Sequence, residues 1–581
     1  MKIFLFLIPL ITQLSCTSLV VETKHGKIKG VPSLVAKDVV EFLGVPYALP
    51  PLKELRFREP QCLPKKYYYN FKAMKYAKAC IQVPRSVKFK GLDEWYPNKK
   101  EMSEDCLQLN MWVPKNKTGA VMVFLFGGQY THGSPSLKFY DGNILARKTG
   151  TIVITLNYRL GVFGFAYYKA DKKDGIPGNL GLLDQQLGLK WIQENIASFG
   201  GDPEKVTLFG QGTGSAMATA HLFSENSTHL FKRIIASSGT VFNRWSYSKS
   251  EHVEENFETL IKKVKCDCNS LKKEVSCMQT LDPFYLSQQA SSIQNPKQFI
   301  TVAPFLPVND EEVFFMNNVD ILLKKKVFTK EKVELLIGKT ADEGSLFMPL
   351  MLNDKKFGCK FDFKSIKNKK KNQCLMNMEQ YEKVINLIQQ DHRLTDEGKN
   401  EIIKLYNNKT LYKEYRDKAL RAISDFGFDC SINEFAEYIK EHFDHKVHYY
   451  IFKKRSNCNP WPKWMGAMHR YDLLYIFGYP FIKANYYKKC NQKDEKAYSE
   501  KIMNVFAAFA LKGDVTKEVE DLEKTFKKNK DFKDKFEIGH WNHHSFGRKD
   551  VCYKVRYIEK HFKHPKQVEE EYYYNYDDIY I

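Results

Sequence analysis

The segment Val206-Thr-Leu-Phe-Gly-Gln-Gly-Thr-Gly-Ser215 constrains the fold more than any other stretch of the 581-residue chain. A short apolar, β-branched run enters a turn with glycine at 210, 212 and 214, and small residues follow, predicting a helix over Ala216 to Phe223. Strand, tight turn and helix in immediate succession belong to an α/β architecture. Further strands are expected at Val121 to Phe126, Thr151 to Leu156, Arg233 to Ala236, Val333 to Ile337 and Val447 to Phe452. Most are near-continuously apolar, as strands covered on both faces must be. Between two of them, Leu182 to Ile196 reads as a helix with Leu183, Leu187 and Trp191 on one buried stripe. This order predicts a large, mostly parallel central sheet flanked by helices. A composition of 43% hydrophobic and 27% charged residues supplies the core and excludes a disordered chain.

Gly210 and Gly214 stand where a nucleophile elbow, G-x-S-x-G, carries its outer glycines, because there strand and helix approach too closely for a Cβ. At the centre, where such a motif holds its serine, this chain has Gly212. A glycine cannot form an acyl intermediate. Thr213 sits one position late and Ser215 lies further into the helix, so neither hydroxyl replaces it on spacing alone.

Other stretches carry a wider resemblance. Phe42-Leu-Gly-Val-Pro-Tyr-Ala, Ser103-Glu-Asp-Cys-Leu-Gln-Leu-Asn, Asn157-Tyr-Arg-Leu-Gly-Val-Phe-Gly-Phe and Gly178-Asn-Leu-Gly-Leu-Leu-Asp-Gln-Gln-Leu precede Phe199-Gly-Gly-Asp-Pro. From about Leu19 to Phe562 the chain resembles the type-B carboxylesterase and cholinesterase family of α/β-hydrolases. The resemblance implies that fold and places the catalytic acid at Glu343, within Asp342-Glu-Gly-Ser, and the base at His469, within Gly466-Ala-Met-His-Arg-Tyr-Asp. It places the oxyanion-hole donors on the backbone of Gly128, Gln129 and Thr213, with the Gln129 side chain narrowing the hole. It also places Trp95, in Asp93-Glu-Trp-Tyr-Pro-Asn, where a quaternary ammonium would stack, and Trp245 in an acyl pocket; both could instead be buried packing residues, a reading at least as good for Trp245. Gln211 stands where cholinesterases carry glutamate, and Phe126 and Arg470 are further departures.

The same resemblance pairs Cys80 with Cys106, Cys430 with Cys552, and Cys277 with either Cys266 or Cys268. Cys359 with Cys374 and Cys458 with Cys490 are expected as local additions, leaving Cys62 for the spare member of the Cys266/Cys268 pair. The apolar run Ile3 to Ile11, followed by Ser15-Cys16-Thr17-Ser18, reads as a signal peptide over 1–18, too short to span a bilayer. The carboxylesterase-type domain then covers 19–566, and 567–581 is an acidic tail with five carboxylates and five tyrosines, expected to be disordered. Asn116, Asn226 and Asn408 open glycan sequons. His540-Trp-Asn-His-His lacks metal-ligand spacing, so no metal or cofactor is expected.

A net charge of +22 invites an acidic partner. For an exported chain that means an acidic extracellular protein or polyanion rather than nucleic acid, and it opposes steering of a cationic substrate. The sequence therefore reads as a secreted, catalytically inactive cholinesterase-like protein that binds a choline-like or hydrophobic ester, or a protein. The alternative is an active carboxylic-ester hydrolase, through an unorthodox nucleophile or a sequence error at position 212.

Overall fold

The computed structural model describes residues 19–293, 303–316, 319, 332–365, 369–407, 410–443, 446–521, 536–541 and 549–564. The expected leader, the acidic tail, Asn408, and His543 and His544 of the histidine cluster lie outside them. Ten strands form the main sheet: β1 Val31–Pro32, β2 Val39–Pro46, β3 Gln108–Pro114, β4 Val121–Leu125, β5 Ile152–Leu156, β6 Val206–Gln211, β7 Arg233–Ser237, β8 Glu334–Thr340, β9 Val447–Phe452 and β10 Phe536–His540. Their order across the sheet is β10-β9-β8-β7-β6-β4-β5-β3-β2-β1. The six from β4 to β9 run parallel to their neighbours, and antiparallel strands extend both sides. The parallel centre follows from its residues: Val-Met-Val-Phe-Leu in β4 and Ile-Val-Ile-Thr-Leu in β5 are buried at every position, which only a sheet covered on both faces provides.

Two helices depart from the sequence expectation. The helix Leu180–Asn195 (α1) is buried on more than one side: Leu182, Leu189 and Ile192 are inside with Leu183 and Trp191, whereas Leu187 is only half-buried. Sandwiching beside the sheet overrides a single apolar stripe. The helix after β6 is Thr213–Ala220 (α2), starting three residues earlier than expected, and 221–223 form a 3-10 turn. Gly212 accepts the first two helical bonds, from the N–H groups of Ser215 at 2.9 Å and Ala216 at 3.0 Å, so the turn collapses straight into the helix.

The resemblance-bearing motifs knit the loops together. Arg159 grips Asp184 through Nε at 2.8 Å and Nη2 at 2.7 Å, both side chains buried, and Tyr47 Oη donates to the Asn157 carbonyl at 2.7 Å. Arg56 meets Glu104 in the same two-pronged way. Five disulfides form among the described residues: Cys80–Cys106, Cys266–Cys277, Cys359–Cys374, Cys430–Cys552 and Cys458–Cys490. The expected bridge between Cys62 and the spare cysteine is absent, because both Cys62 and Cys268 are free and exposed. Burial decides between the candidates: Cys266 points into the core beside Cys277, and Cys268, two residues on, faces solvent. Asn116 and Asn226 are exposed. No described helix is long and apolar enough to cross a membrane.

Candidate active site

Gly212, Glu343 and His469 all follow the carboxyl ends of parallel strands β6, β8 and β9, where open α/β sheets bind ligands. Gly212 holds the elbow conformation, φ 57° and ψ −123°, in which L side chains are strained. The outer glycines are sterically required: a Cβ on Gly210 would lie 2.2 Å from the Gly214 carbonyl, and one on Gly214 2.2 Å from that of Leu125. The loops after β8 and β9 dock on each other, the Asp342 N–H donating to the Ala467 carbonyl at 3.0 Å and the Ala467 N–H to Asp342 Oδ2 at 2.9 Å. That contact brings Glu343 to His469.

His469 Nδ1 donates to Glu343 Oε2 at 2.5 Å, and both groups are buried. Glu343 Oε1 accepts from Ser238 Oγ at 2.6 Å and from the Thr340 N–H at 2.7 Å. Burial alone would raise the Glu343 pKa, but the His469 charge and these hydrogen bonds outweigh it and hold the carboxyl below its ordinary range. When the imidazole is neutral with its proton on Nδ1, Nε2 offers a lone pair, and Gln211 Nε2 donates to it at 3.0 Å. Flipping the amide would set its oxygen against that lone pair. Gln211 Oε1 is then buried without a hydrogen-bond partner among the described residues. A Cβ on Gly212 would stand 2.9 Å from His469 Nε2, so the base still faces the position a nucleophile would occupy.

The nearby hydroxyls have other partners. Ser215 Oγ donates to the Gly239 carbonyl at 2.5 Å. Thr213 Oγ1 accepts from the Gly128 N–H at 3.0 Å, so one of the three expected oxyanion donors already has an acceptor. Gln129 has left-handed backbone, φ 54°, and its side chain lines the cavity. Phe126 is fully buried and stacks on Tyr158, away from the cavity.

A cavity of about 600 Å³ opens above Gly212, Thr213 and His469. Trp95 and Trp245 both line it. Trp245 is anchored by Nε1 donating to the Gly427 carbonyl at 2.7 Å and packs on Phe428, so it is both packing residue and wall. Trp95 is only 7% exposed: Phe139 stacks on it at 4.2 Å and the guanidinium carbon of Arg470 lies over its ring at 5.7 Å. The ammonium position expected from Trp95 thus already has an internal cation. Sequence reasoning missed this role of Arg470, the Ser238 support of Glu343 and the cavity cations Arg85 and Lys356. A left-handed φ of 73° at Arg470 turns the chain there, and only the fold shows where its side chain leads.

The Carboxylesterase family model matches residues 17–550. The chain is 35% identical over 514 residues to "Acetylcholinesterase 4" of Caenorhabditis briggsae, covering 85% of this chain and 81% of that protein. It is 33% identical over 502 residues to "Cholinesterase" of Mus musculus, with coverage of 85% and 79%, and 32% identical over 522 residues to "Acetylcholinesterase" of Leptinotarsa decemlineata, with 85% and 79%. With a large mixed sheet, parallel at its centre, and helices on both sides, the chain belongs to the carboxylesterase family of α/β-hydrolases.

Proposed function

We propose that this protein is an exported family member that binds ligands in its gorge without hydrolysing them. The observation carrying this reading is that His469 Nε2 faces Gly212 and takes its hydrogen bond from Gln211 instead of from a nucleophile. In subtilisin, loss of the serine costs on the order of 10⁶ in kcat. Loss of a single oxyanion donor costs about 10² to 10³. Here both deficits coincide, because the Gly128 N–H is held by Thr213 Oγ1. The His469–Glu343 pair favours a second reading, a slow hydrolase in which the base activates water or an unorthodox nucleophile. Turnover of acetylthiocholine and of a simple aryl ester by purified protein separates the two. Rates within tenfold of buffer support binding alone, and saturable turnover well above that overturns it.

The leader, five disulfides and exposed Asn116 and Asn226 support export and glycosylation, since such bridges persist in oxidising compartments. An amino terminus near residue 17 or 19 on the secreted protein, with a mass shift on glycan removal, is the expected result.

A further inference from the structure

The gorge contains a cation that no described residue neutralises. Arg470 lines the cavity beside His469, its only close aromatic contact is the Trp95 ring, and among the described residues no carboxylate pairs with it. The side chain is half-buried, and among the described residues its enclosed Nε has no hydrogen-bond partner. Leaving a buried charge-bearing donor unsatisfied is costly, and a guanidinium presents its N–H groups in a fork that matches a carboxylate in two-pronged fashion. Arg85 and Lys356 also line the cavity, against Asp391 as the one carboxylate among the described lining residues. On the same wall, burial first and then the Arg85 and Arg470 charges push the His132 pKa well below its ordinary value, so it stays neutral. Leu346, Phe347, Phe357 and Phe428 give the wall an apolar stretch. A volume of about 600 Å³ lies within the roughly 300–1,000 Å³ of small-molecule sites.

From this juxtaposition we propose that the gorge binds an apolar molecule bearing one carboxylate, with the Arg470 guanidinium as its counter-ion. The inference rests on the ligand-binding reading above and reverses the charge of the ligand that Trp95 alone would suggest. Such a ligand meets the guanidinium with a counter-charge where Arg470 lines the cavity and places its hydrocarbon body against the phenylalanine side chains of the wall. A quaternary ammonium of the same size meets Arg470 at the Trp95 ring and is repelled.

Fluorescence titration of the full-length, disulfide-intact protein with pyrenebutyrate, pyrenebutanol and a pyrenebutyl-trimethylammonium salt tests this. The expected result is one pyrenebutyrate per chain, bound at least tenfold more tightly than the alcohol, with the ammonium salt weakest. Arg470→Gln should erase the preference for the acid while leaving alcohol binding intact, and Arg470→Lys should retain part of it. Because Gln and Lys share the backbone preferences of Arg, a thermal melt matching the parent protein establishes that each variant is folded. Equal affinity for acid and alcohol in the parent, or an acid preference that survives Arg470→Gln, overturns the proposal but leaves a binding gorge. Failure of all three probes to bind folded protein overturns the binding reading itself.

Discussion

Restoring a serine at position 212 asks how much of a hydrolase remains. Gly212→Ser inserts a Cβ 2.9 Å from His469 Nε2 and 3.3 Å from Cε1, so the imidazole must give by a few tenths of an ångström against its anchor on Glu343. The left-handed φ of 57° adds strain of about 1–3 kcal/mol, which family members with a serine at the elbow also bear. The new hydroxyl must also displace the Gln211 amide from Nε2. Even then the oxyanion hole lacks the Gly128 N–H while Thr213 Oγ1 holds it. We therefore predict that Gly212→Ser alone gives weak esterase activity toward an aryl ester, and that Gly212→Ser with Thr213→Ala gives about 10² to 10³ more in kcat, the value of one restored donor. That factor corresponds to roughly 2.7–4 kcal/mol of transition-state stabilisation. Steady-state kinetics with pre-steady-state burst amplitudes read both steps. Equal kcat for the single and double variants refutes the reading of Thr213 as a block, and wild-type turnover matching the single variant refutes the reading of Gly212 as the missing nucleophile.

Three further outcomes follow from the geometry. Burial holds the His221 pKa at about 3 against an ordinary 6.5, so the folded state resists its protonation. Its stabilising contribution is complete above pH 6.5 and is lost progressively as pH falls toward 3, by about 4–5 kcal/mol in all. Glu343, whose folded pKa is lowered, adds a further loss only below its ordinary 4.5. His132 and His448, whose pKa values burial also lowers, add to this slope, so denaturation at several pH values should show stability falling between 6.5 and 4, and His221→Asn should lessen the slope without abolishing it; an unchanged slope assigns the acid limb to the other groups. Asp184→Asn leaves the buried Arg159 guanidinium without its counter-charge and should destabilise by about 3–5 kcal/mol, read as a shifted urea midpoint, whereas a change under 1 kcal/mol contradicts a tight pair. Alkylation of the secreted protein under native conditions should label Cys62 and Cys268 without reductant, and peptide mapping that finds them bridged contradicts the assignment.

Local rules made the sheet centre legible. The β-branched runs of β4 to β7 and the glycine spacing around Gly212 are determined within a few residues, and observed bounds differ from those expected mainly at strand ends. The α1 stripe was less legible, because burial on more than one side is a property of the layers packed around the helix and not of its own period. Glu343 and His469 were found by resemblance alone. They lie 126 residues apart and meet through two docked loops that no spacing encodes. The same holds for the bond between Gly128 and Thr213, 85 residues apart, which turns an ordinary-looking threonine into an occupant of the expected oxyanion hole. Arg470 marked a departure in the sequence, but its meaning depends on where Trp95 lies. The choice between Cys266 and Cys268 was likewise open until burial decided it.

Intact-mass spectrometry of the purified wild-type protein after exposure to a fluorophosphonate reads the nucleophile content of the gorge directly. We predict no phosphonyl adduct on the wild type and one adduct per chain on Gly212→Ser, mapped to the peptide containing residue 212. One adduct per wild-type chain, on any residue lining the gorge, contradicts the absence of a nucleophile and makes the protein a hydrolase.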